Sequence, residues 1–310
     1  MYNPKKFECV REFQLNFTLR NGVNYDADDA LSREMRRPAV GMIDVLRHRQ
    51  SGRTIGVAAA HFPFDPYKNI IKFGVMVLML RAIKKVKESL KLEDVFFSGD
   101  FNFVPNSMLY DYVTNGKLDL DVPEEEFSNQ TLVMRCAHEA EIADLLKISD
   151  RKFTPSKKEK FDRREFLESL AGAKVFIGNS KELKFRKGQP LTQDPAAELR
   201  ELASSLGLTS VYAEAKNRFW AKNSQGPSAN ALSFRHPGIE FRNEAFPTQL
   251  APDIKSTFDY ILIGRGKGFT PSAVLELPSL TFLAEDRRSL PFGPFSSDHF
   301  SLVADFELPQ

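Results

Sequence analysis

The stretch VFFSGDFN, residues 95–102, has the composition of a buried strand that ends in two polar side chains. Side chains alternate between the two faces of an extended chain, so Asp100 and Asn102 should point to the same side. Acidic groups beside buried strands are costly unless they are paired, hydrogen-bonded or bound to a metal. The segment therefore predicts a central strand and a sheet edge at which polar partners should meet.

The composition describes a globular chain without a dominant charge. With 310 residues, of which 42% are apolar, it can form one large domain or two ordinary ones around a substantial core. Its 43 Lys and Arg nearly balance its 41 Asp and Glu, so an anionic partner would have to meet a local basic patch. The cysteines, Cys9 and Cys136, provide neither a disulfide framework nor a zinc knuckle and favour a reducing compartment.

These features predict an intracellular protein, cytoplasmic or nuclear, with mitochondrial residence as an alternative if a segment precedes Met1. The longest apolar stretch, Ile70 to Ile83, contains Lys72 and Arg81 and is shorter than the ~20 residues of a bilayer span. The N-terminus, MYNPKKFECV, lacks the apolar core of a secretion signal. We therefore expect no membrane partner.

The first 120 residues indicate a sheet followed by a strand–helix–strand unit. Residues 1–60 contain short apolar runs that predict strands, including a hairpin across Arg47 to Arg53. Residues 67–92 have apolar side chains at helical spacing, with basic residues towards the C-terminal end. A short helix should begin after Pro105 and end at Asn115-Gly116. Strands with interspersed helices predict a layered α/β sandwich.

The remainder of the chain is less regular. Residues 121–205 are rich in charge, which favours solvated helices in an insertion or elaborated loop, and residues 223–238 have the composition of a loop. STFDYILIG, residues 256–264, predicts a strand that contains Asp259. SSDHFSLVADFEL, residues 296–308, predicts a loop followed by a strand.

Polar groups recur beside these strands. Asp100 and Asn102 follow one strand, Asp259 lies in another, His61 ends an alanine-rich strand, and Asp298-His299 precede the last one. Each has an ordinary explanation on its own, because GD often forms turns, a lone His is often a satisfied half-buried residue, and Asp can bond backbone donors. Their combination predicts one shared cleft.

Several motifs resemble the endonuclease/exonuclease/phosphatase superfamily. They are SGDFN (98–102), STFDYIL (256–262) and SSDHFSLVADF (296–306). His61 in AAAHFPFDP resembles the His-x-x-Trp-Asp-Pro element of the carbon catabolite repressor deadenylases. GDFNFVPNSMLYDYV and LGLTSVYA are similar to the same branch, which includes nocturnin, and in particular to the Angel proteins. The resemblance covers roughly residues 2–120 and 200–308.

The resemblance implies a DNase I-like, four-layer α/β sandwich in which two packed, mainly antiparallel sheets are flanked by helices. It implies a single domain over residues 1–310, with a lineage-specific insertion at about 121–205. The family usually has an early strand with an Asn and then a Glu that is the main magnesium ligand. Both precede the element similar to YNPKKFE, so we expect the first part of the domain, with that Glu, to be missing from this chain.

The resemblance also implies roles for the polar residues. Asp100 would orient or activate the attacking water, and Asn102 would hold a phosphate oxygen. His299 would contact the scissile phosphate, His61 would stabilise charge on the phosphoryl group, and Asp259 would act behind the His299 loop. An anionic transition state requires such donors, a base and a cation, so the chemistry agrees with these roles.

The implied cofactor is Mg²⁺, with Mn²⁺ as an alternative, because the cleft offers hard oxygen ligands and no cysteine. Asp298 would lie close to the metal. Pro66 would contact the substrate base. Ile254 stands where the deadenylases carry a Phe that stacks on adenine, a contact worth ~1–3 kcal/mol per base. Its loss weakens the case for poly(A) specificity and favours a short or cyclic-phosphate substrate.

Three functions follow as expectations. The first is a Mg²⁺-dependent phosphodiesterase or 3′-5′ exoribonuclease acting on an RNA 3′ end or short oligonucleotide, deadenylase-like or specific for 2′,3′-cyclic phosphates. The second is a catalytically impaired relative that binds RNA or protein. The third is a phosphatase of the same superfamily acting on a small molecule, which FPFDP and PNSMLYDYV make the weakest of the three.

Overall fold

The structure is a computed structural model, and it describes residues 2–17, 31, 35, 39–64, 69–105, 107–120, 162–177, 181–215, 244, 245, 248–251, 254–264, 269–277 and 297–307. The described strands are β1 Phe7–Asn16, β2 Val40–His48, β3 Thr54–His61, β4 Asp94–Asp100, β5 Lys174–Ile177, β6 Glu182–Arg186, β7 Leu208–Ser210, β8 Gln249–Ala251, β9 Ile254–Ser256, β10 Asp259–Gly264, β11 Thr270–Val274 and β12 Ala304–Glu307. The described helices include α1 Asn69–Leu90, α2 Met108–Asn115, α3 Arg163–Gly172 and α4 Pro195–Leu206.

An eight-stranded sheet forms the centre of the fold, in the order β5-β6-β1-β2-β3-β4-β10-β7. Most neighbours are antiparallel, while β3 with β4 and β1 with β6 are parallel. The hairpin predicted across Arg47 to Arg53 is confirmed, since Arg47 pairs with Thr54. The parallel β3–β4 pair is joined by α1 and confirms the predicted strand–helix–strand unit.

Helix α1 is the main element that covers one face of this sheet. Its first three turns are apolar on nearly every side, and all positions from Ile70 to Leu80 are buried. A helix that is hydrophobic all round must be enclosed by other elements. It contacts β3 and β5 in the sheet and α2, α3 and α4 beside it, and this enclosure explains why a segment with the hydrophobicity of a core forms a helix here.

Helix α2 begins and ends as its sequence predicts. The Ser107 side chain accepts a hydrogen bond from the backbone N–H of Tyr110, which satisfies a free donor of the first turn. Gly116 adopts a left-handed conformation with φ 66° and caps the carboxyl end. The segment PNSMLYDYVTNG therefore encodes both of its own boundaries.

The opposite face of β4 supports part of a second sheet. Phe97 is fully buried among the core residues, whereas its neighbour Phe96 contacts Phe269 and Phe306 with ring centroids 5.1 and 5.0 Å away. Those two rings lie beside the antiparallel β11–β12 ladder. The described residues thus show the helical layer, the large sheet and a piece of the second sheet of the predicted DNase I-like sandwich.

The charged region from 121 to 205 contributes more to the core than its composition indicates. Helix α3 buries Phe166, Leu167 and Leu170, although we expected solvated helices there. A hairpin, β5–β6, extends the large sheet beyond β1 and was not expected from the sequence. Residues 121–161 and the predicted loop 223–238 lie outside the described residues.

The strand predicted over residues 256–264 is divided in two. Ser256 ends β9, and Asp259 begins β10, so Asp259 stands at a strand end and not within an apolar run. The final strand is likewise shorter than predicted, because it begins only at Ala304. Within the described segments, no helix is both long and apolar enough to cross a bilayer.

Gly99 is a position at which the fold tolerates no side chain. It has φ 144°, and a Cβ there would lie 2.0 Å from the carbonyl oxygen of Ala60 on β3. We expect Gly99→Ala to lower the free energy of unfolding by at least about 3 kcal/mol, because it forces β3 and β4 apart. Urea denaturation followed by circular dichroism measures this change.

The matched control is Gly52→Ala in the β2–β3 turn. Gly52 also has a positive φ, 72°, but a Cβ there would meet no atom within 4 Å. Its substitution should lower the free energy of unfolding by only about 1 kcal/mol, the strain of placing alanine in a left-handed backbone conformation. Equal losses for the two variants would contradict the close-approach explanation.

Candidate functional site

Sheet register brings three predicted polar residues into one row. Strand β10 pairs with β4 so that Asp259 lies opposite Asp100. Strand β3 runs parallel to β4 with Ala59 beside Ser98, and two residues further His61 therefore lies beside Asp100. Paired residues of adjacent strands share a face of the sheet. His61, Asp100 and Asp259 consequently form a polar row, which we call the catalytic row, across the ends of β3, β4 and β10.

His299 joins the catalytic row from the loop before β12. Its Nδ1 lies 2.8 Å from Oδ2 of Asp259, and its Nε2 lies 3.9 Å from Oδ2 of Asp100. On the other side, Nε2 of His61 lies 3.5 Å from the same Asp100 oxygen. The structure thus brings together four residues that are dispersed along the sequence, while the roles assigned to them remain predictions.

Asn102 meets Asp100, but not through simple strand alternation. The strand ends at Asp100, and Asn102 adopts a left-handed backbone conformation with φ 51°. Its backbone N–H donates to Oδ1 of Asp100, and its Nδ2 donates to Oδ2 of Asp100 and to the carbonyl of Phe62. Both amide hydrogens are therefore used within the protein, and Asn102 is only 2% exposed. It orients the carboxylate, and its predicted contact with phosphate would require one of these bonds to break.

Lys72 supports this turn from beneath and was missed by the sequence analysis. It is fully buried in α1, and its Nζ donates to the carbonyl of Asn102 at 2.7 Å. A buried ammonium is costly without such partners. The available signal was the lysine itself, since it interrupts an otherwise apolar helix and so requires an acceptor.

Thr248 is a second positioning residue that was missed. It is fully buried, and its hydroxyl accepts hydrogen bonds from the backbone N–H groups of Phe258 and Asp259 at 2.9 and 3.1 Å. Its own carbonyl accepts from the N–H of Phe300. One threonine therefore fixes the start of β10 and the loop that carries His299. The sequence gives no signal for it, because a threonine in an irregular segment is unremarkable.

The site environment raises two pKa values. The hydrogen bond to Asp259, followed by the charges of Asp259 and Asp100, raises the pKa of His299 above its ordinary value near 6.5. Burial, followed by repulsion from Asp259, raises the pKa of Asp100, although the Asn102 N–H and the two histidines oppose this shift. Asp100 is thus adapted to take up a proton, and His299 to keep one.

The predicted metal ligand Asp298 lies at the surface beside His299. The Nε2 of Gln249 donates to its Oδ2 at 3.4 Å. Among the residues that the structure describes, no three His, Cys, Asp or Glu side chains are grouped to hold a metal ion. The two facing carboxylates, Asp100 and Asp259, are the part of an oxygen ligand set that this region contains.

Pro66 and Ile254 are the residues predicted from the sequence to shape a base-binding site. Pro66 lies outside the described residues. Ile254 begins the short strand β9, which pairs with β8. The expectations for base contact therefore stay predictions.

We expect Thr248→Val to lower the free energy of unfolding by about 1–3 kcal/mol, because the two N–H groups it serves are left without an acceptor. Valine has nearly the same shape, so packing is preserved. Thr248→Ser, which keeps the hydroxyl, is the control and should lower the free energy of unfolding clearly less. Denaturation curves measure the loss, and faster amide exchange at Phe258 and Asp259 locates it; unchanged exchange at both amides would contradict this role.

We expect Asp259→Asn to lower the pKa of His299 towards its ordinary value in the presence of a chelator, as followed by NMR titration of the imidazole. His48, at the far end of β2, is the internal control. Because the pKa of His299 is higher in the folded than in the unfolded state, its protonation stabilises the folded protein. This contribution is fully present below about pH 6.5 and is lost as pH rises through the folded-state pKa. The substitution should therefore destabilise more at about pH 5.5 than at about pH 9; an unshifted His299 titration would contradict the pairing.

Sequence comparison finds relatives among RNA-processing enzymes. No protein-family model matches the chain. A probable CCR4-Not complex 3′-5′-exoribonuclease subunit Ccr4 from Enterocytozoon bieneusi (strain H348) is 27% identical over 124 residues, which make up 39% of this chain and 26% of that protein. The CCR4-Not complex 3′-5′-exoribonuclease subunit Ccr4 of Candida albicans is 31% identical over 127 residues, or 37% of this chain and 16% of that protein. The matches span about a quarter of these relatives or less.

Structure comparison extends over nearly the whole chain. The crystal structure of ANGEL2, described as a 2′,3′-cyclic phosphatase, in complex with adenosine-2′,3′-vanadate, superposes with a TM-score of 0.63 at 21% identity and covers 99% of this chain and 69% of that one. A second ANGEL2 crystal structure gives a TM-score of 0.60. The predicted resemblance is confirmed: the chain has the fold of the endonuclease/exonuclease/phosphatase superfamily, and its similarity lies with the branch of the Ccr4 exoribonucleases and ANGEL2.

Proposed function

We propose that the protein is a phosphodiesterase that processes RNA 3′ ends and acts on a terminal phosphodiester or 2′,3′-cyclic phosphate. The observation that carries this proposal is the catalytic row with His299 beside it, in which each carboxylate lies between 2.8 and 3.9 Å from an imidazole nitrogen. The relatives supply the substrate class, since they are named as exoribonucleases and as a 2′,3′-cyclic phosphatase.

Asp100 acts on the water nucleophile. Its Oδ1 is held by the backbone N–H of Asn102, and its Oδ2 faces both histidines. The raised pKa makes this carboxylate a better proton acceptor than an exposed aspartate. The bond from Asn102 fixes its orientation before substrate arrives, which removes a reorganisation step from the reaction.

His299 acts on the phosphate. When Nδ1–H donates to Asp259, the ring is fixed with Nε2 directed towards the space beside Asp100. The raised pKa keeps more of the imidazole protonated near neutral pH, which favours contact with an anionic phosphoryl oxygen. His61 is mostly exposed, with 71% of its side chain accessible, so it can approach the same oxygen from solvent.

We further propose Mg²⁺, or Mn²⁺ in its place, as the cofactor. Mg²⁺ is commonly held by one or two carboxylates together with waters and substrate phosphates. Asp100 and Asp259 fit this description, because burial and then repulsion from Asp259 raise the pKa of Asp100, and a cation near both carboxylates would relieve that repulsion. Asp298 would add a further oxygen. The ion would supply positive charge to the phosphoryl group.

The decisive experiment compares two forms of one short RNA, ending in a 2′,3′-cyclic phosphate or in a 3′-hydroxyl, with Mg²⁺, Mn²⁺ or EDTA. We expect product only with a divalent cation, and we expect Asp100→Asn and His299→Ala each to lower kcat by about 10²–10⁴-fold. Lys85→Ala on the helical side is the control and should match the wild type. Turnover that is unchanged by EDTA and by both substitutions would refute the proposal.

A non-catalytic role in RNA or protein binding is the second candidate. The observation in its favour is that the described part of the chain groups no three side chains of the types that ligate metals. The same experiment separates the two functions. Saturable RNA binding without turnover under every cation condition would make the binding role the better one.

A further inference from the structure

The hairpin that extends the sheet carries a basic surface with an exposed aromatic ring. The β5–β6 register places Lys174 opposite Arg186 and Phe176 opposite Lys184. Residues that pair directly share a face, and all four side chains are exposed. The intervening residues, Val175 and Ile177, pack against the core instead. We call the outward set Lys174, Phe176, Lys184 and Arg186 the basic hairpin.

Phe176 provides a platform for stacking. Its side chain is 40% exposed, although a phenylalanine is usually enclosed. The guanidinium carbon of Arg186 lies 4.6 Å from the centre of its ring, so one face of the ring is covered by a planar cation and the pair is held in place. Aromatic rings and guanidinium planes are the surfaces on which unpaired bases stack.

The basic hairpin lies on the same face of the sheet as the catalytic row. The β1–β6 register pairs Leu15 with Leu183, and one position further it brings Lys184 beside Asn16. Asn16 pairs with Val40 on β2, and Val40 pairs with His61 on β3. A single cross-sheet row therefore runs from Phe176 through these residues to His61. The register therefore places these side chains on one face of the sheet, and the twist between neighbouring strands turns that face gradually, by roughly 20–25° per strand, from the hairpin to His61.

The described residues between the two sites are exposed, and the distance between the sites is short. Asn16 is exposed and Val40 is 61% exposed, although an apolar side chain in the middle of a sheet is normally covered. Four strand spacings separate β3 from β5, or roughly 19 Å at about 4.8 Å each. This distance suits a few nucleotides of an extended single strand.

We propose that the basic hairpin binds the single-stranded RNA body while the 3′ end of the same strand occupies the catalytic row. This inference rests on the proposed function and adds a second subsite to it. Lys174, Lys184 and Arg186 meet backbone phosphates, and Phe176 stacks on a base. Phosphate contacts of this kind hold any sequence, because they carry no base information. The protein therefore selects RNA by length and single-strandedness at this subsite.

The test measures binding and turnover separately. Fluorescence anisotropy with a labelled oligoadenylate of about 12 nucleotides, in EDTA, reports affinity without hydrolysis. We expect Lys184→Glu to weaken binding by about tenfold or more, whereas Lys6→Glu, an equal charge change on an exposed residue just before β1, at the end of that strand remote from Asn16, leaves it within about twofold. Phe176→Leu, which keeps an apolar side chain, should weaken binding by about fivefold or more.

Salt dependence identifies the phosphate contacts. Each neutralised phosphate of a single strand adds about −0.7 to the slope of log K against log salt. Replacing Lys174, Lys184 and Arg186 together by alanine should therefore reduce the magnitude of the slope by about 2. An unchanged slope would overturn the proposal, as would equal effects of Lys184→Glu and Lys6→Glu. Tighter binding of a polyglutamate peptide than of RNA at this surface would also overturn it, because that marks a protein-docking site.

Turnover then separates this proposal from the proposed function. The hairpin variants should raise KM for a long RNA and leave KM for a dinucleotide and kcat for both unchanged, since the short substrate reaches only the catalytic row. Hairpin-dependent binding without any turnover would support the subsite and refute the enzyme. Turnover with hairpin-independent binding would refute the subsite alone.

Discussion

The close approach of β3 and β4 at Gly99 is the constraint on which the candidate site depends. The carbonyl of Ala60 occupies the space where a side chain of residue 99 would stand. This contact fixes the register of the parallel pair, and a slip of one residue would turn every side chain of the strand to the other face. His61 and Asp100 are neighbours only because the slip is prevented. The glycine in SGDFN thus has a structural task as specific as that of the aspartate after it.

The same alternation separates polar chemistry from the core. Phe101, between Asp100 and Asn102, is fully buried and its ring lies 4.6 Å from that of Phe97 and 5.8 Å from that of Tyr260. These rings anchor the end of β4 from below. The carboxylate of Asp100 is therefore held above an apolar floor that cannot rearrange cheaply, because close-packed interiors resist changes in volume. A rigid support of this kind is what a preorganised charge requires.

Sequence reasoning succeeded where a local pattern determines the structure. The β2–β3 hairpin, helix α1 and both ends of α2 follow from turn residues, periodicity and capping within a few positions of each element. It failed where the structure depends on contacts between residues that are far apart in the sequence. Lys72 and Thr248 support the site through partners about ten to thirty positions away, and β6 joins β1 across more than a hundred. The proximity of Asp100 and Asn102 was predicted correctly, but from the alternation of side chains along a strand. In the structure the strand ends at Asp100, and a left-handed backbone conformation at Asn102 brings the two side chains together.

The proton balance of the site connects its stability with its chemistry. Both Asp100 and His299 have pKa values above their ordinary range, so the folded site binds protons more strongly than the unfolded chain does. For Asp100, the raised pKa lowers the stability of the folded state; this penalty is absent below the unfolded pKa of about 4 and complete above the folded pKa. For His299, the raised pKa stabilises the folded state below about pH 6.5, and this contribution is lost above the folded pKa. Both terms make the folded state less stable as pH rises. The repulsion between Asp100 and Asp259 is relieved when Asp100 takes up a proton at low pH, and the cation proposed above would relieve it at neutral pH. Protons and a divalent cation should therefore compete for this site, and the same charge that costs stability in their absence would draw a cation in.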